Sequence, residues 1–159
     1  MKIVLIIIAL IAFAFIITLF VLGFSSRSGK APGLIDGRLV KCPDKPNCIC
    51  SEQKSDTDHY IEPIIIPENL KLDTLPLLKE TIREMGGSIV VEDDNYLATT
   101  FSVAVFGFVD DLEIRVDAIH QVIHIRSASR VGRGDLGVNR KRAERLKKLY
   151  YQKVLEADN

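Results

Sequence analysis

Two consecutive acids, Asp110 and Asp111, and the stretch RSASRVGRGDLGVNRKR at 126–142 are the parts of this 159-residue chain whose types and spacing could do chemistry. A carboxylate beside arginines can work as a general acid or base, or can orient guanidinium forks toward an anion. Serine hydroxyls and glycine-rich backbone amides add donors to such a site.

Pleat parity decides where these groups point. Alternation along 108–117 places Leu112, Ile114 and Val116 on a core face, and Ile123 and Ile125 do the same in 121–128. Pairing Val116 with Ile123 and Ile114 with Ile125 is required, because a slip by one residue would expose both sets. Glu113 then stands opposite Arg126 on the outward face. Asp110 stands opposite Ser129, with Ser127 nearby, on the core face.

A carboxylate among aliphatic side chains is costly unless it is paired and hydrogen-bonded. FGFVDD at 106–111 and the 126–142 segment are therefore expected to meet at one end of the sheet, with Ser127, Ser129 and Arg130 as partners for Asp110. Local charge agrees: 92–117 holds seven acids and one base, whereas 126–148 holds nine bases and two acids.

Two readings of this corner follow. In one, the acids neutralise arginines and pin the last helix to the sheet. In the other, Arg126, Arg130 and Arg140 contact an anionic ligand, Asp110 orients them, Ser127 and Ser129 add hydroxyls, and Gly132 lets the backbone turn. The spacing fits neither a Walker loop nor a dinucleotide fingerprint, and there is no GxSxG elbow. Asp110 and Asp111 cannot act as facing carboxylates, since adjacent strand residues point to opposite faces. No catalytic residue is assigned. An enzyme using Asp110 on a small anionic substrate is the alternative, and a purely structural envelope scaffold is a third.

Cys42, Cys48 and Cys50 are too few for a disulfide scaffold, and with His59, His120 and His124 they show no metal-ligand spacing. No metal and no cofactor is expected. A Cys42–Cys48 bridge would remove roughly 2 kcal/mol of unfolded-state entropy. Cys48 and Cys50 lie too close for an easy bridge, which leaves Cys50 as the simplest free thiol.

Residues 3–24 carry no charge. At about 1.5 Å per residue they reach roughly 33 Å as a helix, enough to cross a bilayer. A secretory signal peptide, with Lys2 as its charged start, is the competing reading, but Gly23 and Ser25 make a poor cleavage site, so 1–24 reads as a transmembrane anchor, 25–32 (SSRSGKAP) as a flexible linker and 33–157 as one globular domain. Beyond residue 24 the net charge is −1, which argues against a nucleic-acid binder. Arg27, Lys30, Arg38 and Lys41 favour a cytoplasmic domain. The short N-terminal flank and the closely spaced Cys42 and Cys48 favour the periplasmic side of an inner membrane, which is the expected orientation. Expected partners are the membrane through the helix, an anionic small molecule or lipid headgroup, and an envelope protein.

The elements that must position the corner read clearly from 59 onward. A strand at 59–66 lies between prolines, which suits an edge. A helix starts at Asp73 as cap, with Leu72 and Leu77 as a hydrophobic staple, and ends at Gly86-Gly87 after the stripe Leu75, Leu78, Ile82 and Met85. Strands follow at 88–92, 96–105, 108–117 and 121–128, then a helix at 139–156. Residues 33–53 show neither period and read as irregular chain. The fold class is α+β: an antiparallel sheet of about four to five strands with two helices on one face, preceded by one N-terminal transmembrane helix.

GLIDGRLVKCPDKPNC, YIEPI, FGFVDDLEIRVD and IRSASRVGRGDLGVNRKR, in this order, resemble the domain of unknown function 1499 family from about residue 33 to 150. The resemblance implies a small domain behind a targeting or membrane segment and implies no activity. Its motif positions are Cys42, Cys48, Asp110, Asp111, Arg126, Ser127, Ser129, Arg130, Gly132, Asp135, Gly137, Asn139 and Arg140. Asp135 and Asn139 thereby join the candidate ligand set. Cys50 stands where members commonly have serine.

Overall fold

A computed structural model describes residues 1–68, 73–103 and 105–157. The N-terminal segment is one helix, α1 (Lys2–Ser26), of 25 residues with Gly23 and Ser26 as its buried positions. It is long and apolar enough to cross a membrane. The helix runs through Ser25 and Ser26, so the segment expected to be a flexible linker begins as the last turn of α1.

Two short strands, β1 (Leu34–Ile35) and β2 (Arg38–Leu39), form a hairpin that sequence periodicity missed. Asp36 and Gly37 sit at its tip with φ of 51° and 72°, the conformation an Asp-Gly turn supplies at least cost. Next come β3 (Cys48–Cys50) and β4 (Ile64–Ile65). The expected strand at 59–66 is thus shorter, with Tyr60 contributing one isolated bridge to Cys50. Asp73 caps α2 (Thr74–Glu84), its Oδ1 accepting the Leu75 amide at 3.2 Å. Leu72 of the expected staple lies outside the described residues.

The meander is β5 (Ser88–Asp93), β6 (Tyr96–Ser102), β7 (Val109–Asp117) and β8 (Val122–Ser129), followed by α3 (Val138–Ala157). One six-stranded sheet runs β3-β8-β7-β6-β5, with β4 also paired to β8. It exceeds the expected four to five strands because β3 and β4 share the β8 edge, one at each end. At the other edge, β5 carries a bulge between Ile89 and Val91. The register is the one parity required: Val116 opposite Ile123, Ile114 opposite Ile125, Glu113 opposite Arg126, Asp110 opposite Ser129.

Both helices pack on one face. Leu78 and Ile82 of α2 and Ala143, Leu146 and Tyr150 of α3 bury the sheet's Leu97, Leu112, Ile114, Ile123 and Ile125, all essentially inaccessible. The other face is not left to solvent. Leu34, Leu39 and the Cys42–Cys48 disulfide close over Tyr96, Ala98 and Ala128, making a second, smaller core. The face expected to point outward is therefore interior over β7 and β8. Glu113 is 0% exposed there and Arg126 7%.

Candidate functional site

Asp110 and Asp111 each meet an arginine, on opposite faces of the sheet. On the helix face, Arg142 Nη2 donates to Asp110 Oδ2 at 2.6 Å. The same guanidinium donates through Nη1 to Asn139 Oδ1 (2.6 Å) and Ser127 Oγ (3.1 Å), and it lies 4.9 Å from the Phe101 ring centre. Asp110 was expected to find Ser127, Ser129 or Arg130. Its partner instead comes from the start of α3, where Asn139 and Arg142, three residues apart, share one helix face.

Asn139 joins the pieces. It is 1% exposed, accepts from Ser127 Oγ (2.6 Å), and its Nδ2 lies within reach of Ser129 Oγ (2.9 Å), Asp135 Oδ2 (2.8 Å) and the Asn47 carbonyl (3.0 Å). Asp135 caps the start of α3 by accepting the amides of Gly137 (3.0 Å) and Asn139 (2.7 Å). The Gly132 carbonyl accepts from Asn47 Nδ2 (3.2 Å). Asn47, outside the candidate set, ties the disulfide loop to this network.

On the far face, Arg130 holds the Asp111 carboxylate with two nitrogens, Nε at 2.9 Å and Nη2 at 2.7 Å. Its Nη1 donates to the Ser26 carbonyl (3.1 Å) and that of Arg27 (3.4 Å) at the end of α1. Helix ends leave carbonyls without intrahelical donors, and a cation there meets the negative end of the helix dipole. The buried Ser26 hydroxyl donates to the Gly23 carbonyl (2.6 Å) and accepts the Val109 amide (2.9 Å). Gly23 lets α1 approach the backbone of Phe106, since a Cβ there would overlap the Phe106 carbonyl oxygen. Phe106 stacks edge-on against Phe20 at 5.3 Å. No periodicity announces the contacts between α1 and the sheet, because each joins residues more than eighty positions apart.

Arg126 does not join the corner. It lies deeper on the far face, where Nη1 donates to Glu113 Oε2 at 2.7 Å. Glu113 Oε1 also accepts the Tyr96 hydroxyl (2.7 Å) and the Gly33 amide (3.0 Å). Burial and the adjacent Glu113 carboxylate push the Tyr96 phenol well above its ordinary pKa. Arg140 is exposed and donates to the carbonyls of Tyr60 (3.0 Å) and Asp58 (3.3 Å). The candidate set thus divides: Asp110, Ser127, Ser129, Asp135 and Asn139 form one network, Arg126 and Arg130 belong to the opposite face, and Arg140 lies at the rim.

A groove of about 340 Å³ touches the corner beside Asp110. Its charged lining residues are Asp110 and Asp135, among apolar groups such as Leu22, Phe108 and Val131, and no arginine lines it. A second groove of about 300 Å³ is lined by Asp135 and Arg140 with Lys45, Arg133, Asp44 and Asp58, so both signs of charge meet there.

The cysteines form a separate structural feature. Cys42 and Cys48 are bonded, with Cα atoms 5.7 Å apart. Cys50 is a buried free thiol whose pKa burial raises to about 11. His59 bridges Asp56 Oδ1 (2.8 Å) and the Lys45 carbonyl (3.0 Å), and His124 meets Ser51 Oγ at 3.2 Å. Among the described residues no group of three His, Cys, Asp or Glu is placed to hold a metal.

The family model described as a protein of unknown function (DUF1499) matches residues 38–149, which span β2 through most of α3 and leave out α1 and the residues up to 37. No curated protein and no solved structure matches the chain. The match takes in both arginine-held aspartates and the disulfide loop, and the chain belongs to the DUF1499 family of proteins of unknown function.

Proposed function

We propose that this protein is a non-enzymatic, single-pass membrane domain, anchored by α1 in a bacterial inner membrane with its sheet on the periplasmic side. The Asp/Arg/Ser/Gly corner is then the joint that fixes the domain to its anchor, and it presents a rigid surface to an envelope partner. The carrying observation is Arg130, which holds Asp111 of the sheet and the Ser26 carbonyl of the anchor helix with one guanidinium. A reactive site needs groups free to engage substrate. Here Asp110 and Asp111 are about 5% exposed and already held by Arg142 and Arg130. An anion at the corner would have to displace one of these carboxylates and leave it buried without its counter-charge, at a cost of several kcal/mol. The disulfide supports the oxidising side of the membrane.

Spin labels at exposed Thr18 and Asp94, in the full chain reconstituted in nanodiscs, test the joint. A rigid joint gives one narrow distance distribution that broadens in Arg130→Ala. A broad distribution in the parent chain rejects it. A reporter enzyme active only outside the cytoplasm, fused after residue 159, tests the orientation.

A further inference from the structure

The far face of the sheet is only half covered. Over β7 and β8 the β1–β2 hairpin and the disulfide loop seal it, but over β5 and β6 an open cavity of about 590 Å³ remains. That volume falls in the usual range for small-molecule sites. Its floor is apolar: Ala98 and Val109 lie at the bottom, and the β5 bulge sets both Val90 and Val91 along it, 55% and 49% exposed. These two valines supply exposed apolar surface inside the cavity.

Charge at the mouth has one sign. Arg27 and Lys30 line the cavity, and no acidic residue does. Among the described residues neither forms an ion pair. Arg27 is the residue immediately after α1, so the mouth opens where the helix ends. With α1 spanning a bilayer, a reading this inference rests on, the basic mouth lies at headgroup level.

We propose that this cavity takes an anionic phospholipid from the adjoining leaflet, its phosphate on Arg27 and Lys30 and part of one acyl chain on Val90 and Val91. Thr100 and Ser102, also on the lining, face the glycerol ester region with hydroxyl groups. Apolar burial and charge attraction act together here, as in other interfacial lipid sites. Neither alone selects this ligand: a free phosphate has no use for the valines, and a zwitterionic lipid gains less from two unpaired cations.

Native mass spectrometry of the full chain in a neutral maltoside detergent tests the site, with dioleoylphosphatidylglycerol, dioleoylphosphatidylcholine and glycerol phosphate as probes. One phosphatidylglycerol per chain is expected to persist. Arg27→Gln with Lys30→Gln should weaken its retention by roughly thirtyfold, about fivefold per charge removed. Val91→Asp should abolish retention while leaving the melting curve unchanged. Thr100→Trp, which fills the cavity without adding charge, provides a second route to the same loss. Equal retention of the two lipids, retention unaffected by the variants, or glycerol phosphate binding as tightly as the lipid would each overturn the proposal. Carbonate extraction of vesicles is a separate readout: release of the chain defeats the anchor reading, whereas loss of retention in detergent defeats only the lipid site.

Discussion

Asp110 and Asp111 adjoin in β7, yet Asp110 is held by Arg142 at 2.6 Å under α3, and Asp111 by Arg130 at 2.7 Å beside the end of α1. One peptide unit thus links two buried ion pairs across the thickness of the sheet. The first fastens the C-terminal helix and the second fastens the N-terminal one.

Breaking either pair should strand a buried charge. Asp110→Ala and Arg142→Ala are each expected to destabilise the domain by about 3–5 kcal/mol, measured by chemical unfolding followed in near-UV circular dichroism. Combining Asp110→Leu with Arg142→Met should cost much less than the sum of the single losses, because no unpaired charge remains. Additive losses would remove the pair from the account of stability.

His124 and His59 should titrate in opposite directions. Burial lowers the pKa of His124 below the ordinary 6.5, and the hydrogen bond that His59 donates to the Asp56 carboxylate raises that of His59. For His124 the unfolded chain takes up the proton first, so its contribution to stability is present above about 6.5 and declines as pH falls toward its folded value. For His59 the contribution is complete below 6.5 and is lost as pH rises through its folded value. Proton NMR of the imidazole C2 signals measures both midpoints. His124→Gln should flatten the acid side of the stability profile and His59→Asn the neutral side.

The disulfide and the free thiol give a simple chemical test. Replacing Cys42 and Cys48 with serine should cost about 2 kcal/mol. In the parent chain at pH 8, Cys50 should resist iodoacetamide, because it is buried and its pKa is near 11. Denaturant without reductant should then reveal one reactive thiol per chain. Rapid labelling of the folded chain would contradict the burial.

Gly23 is expected to tolerate no side chain. Even Gly23→Ala would drive a methyl into the Phe106 carbonyl and push α1 from the sheet end. Crosslinking between Phe20→Cys and Phe106→Cys, close in the parent because their rings are 5.3 Å apart, should fall in the Gly23→Ala background. Undiminished crosslinking would show that the approach is not needed.

Much of this architecture can be read from the chain, for a definite reason. Leu112, Ile114, Ile123 and Ile125 alternate strictly, and period-two burial permits one register alone. The meeting of Asp110 with the 126–142 segment follows from that register. What hides Arg142 is its place in a helix: parity along strands carries no information about which turn of a later helix descends on the corner. The cover over Glu113 and Arg126 is hidden for another reason. Residues 33–53 hold two-residue and three-residue strands, too short to show a period, and their order comes from a turn, a disulfide and bonds to distant partners. The anchor joint rests on a serine and a glycine at the end of an apolar run, where composition signals membrane and nothing else.

The two edges of the sheet are finished differently. β3 and β4 cap β8, while β5 ends the opposite side with its bulge between Ile89 and Val91 and the acids Glu92 and Asp93 beyond it. Copies confined to a bilayer and held at one height would bring these borders together at high local concentration, the arrangement most prone to strand-to-strand polymerisation. A kinked margin with the acid Asp93 and the Lys79–Glu92 ion pair beside it is a poor template for that zippering. With α1 in a bilayer, as proposed above, this edge disfavours strand-to-strand pairing between neighbouring copies.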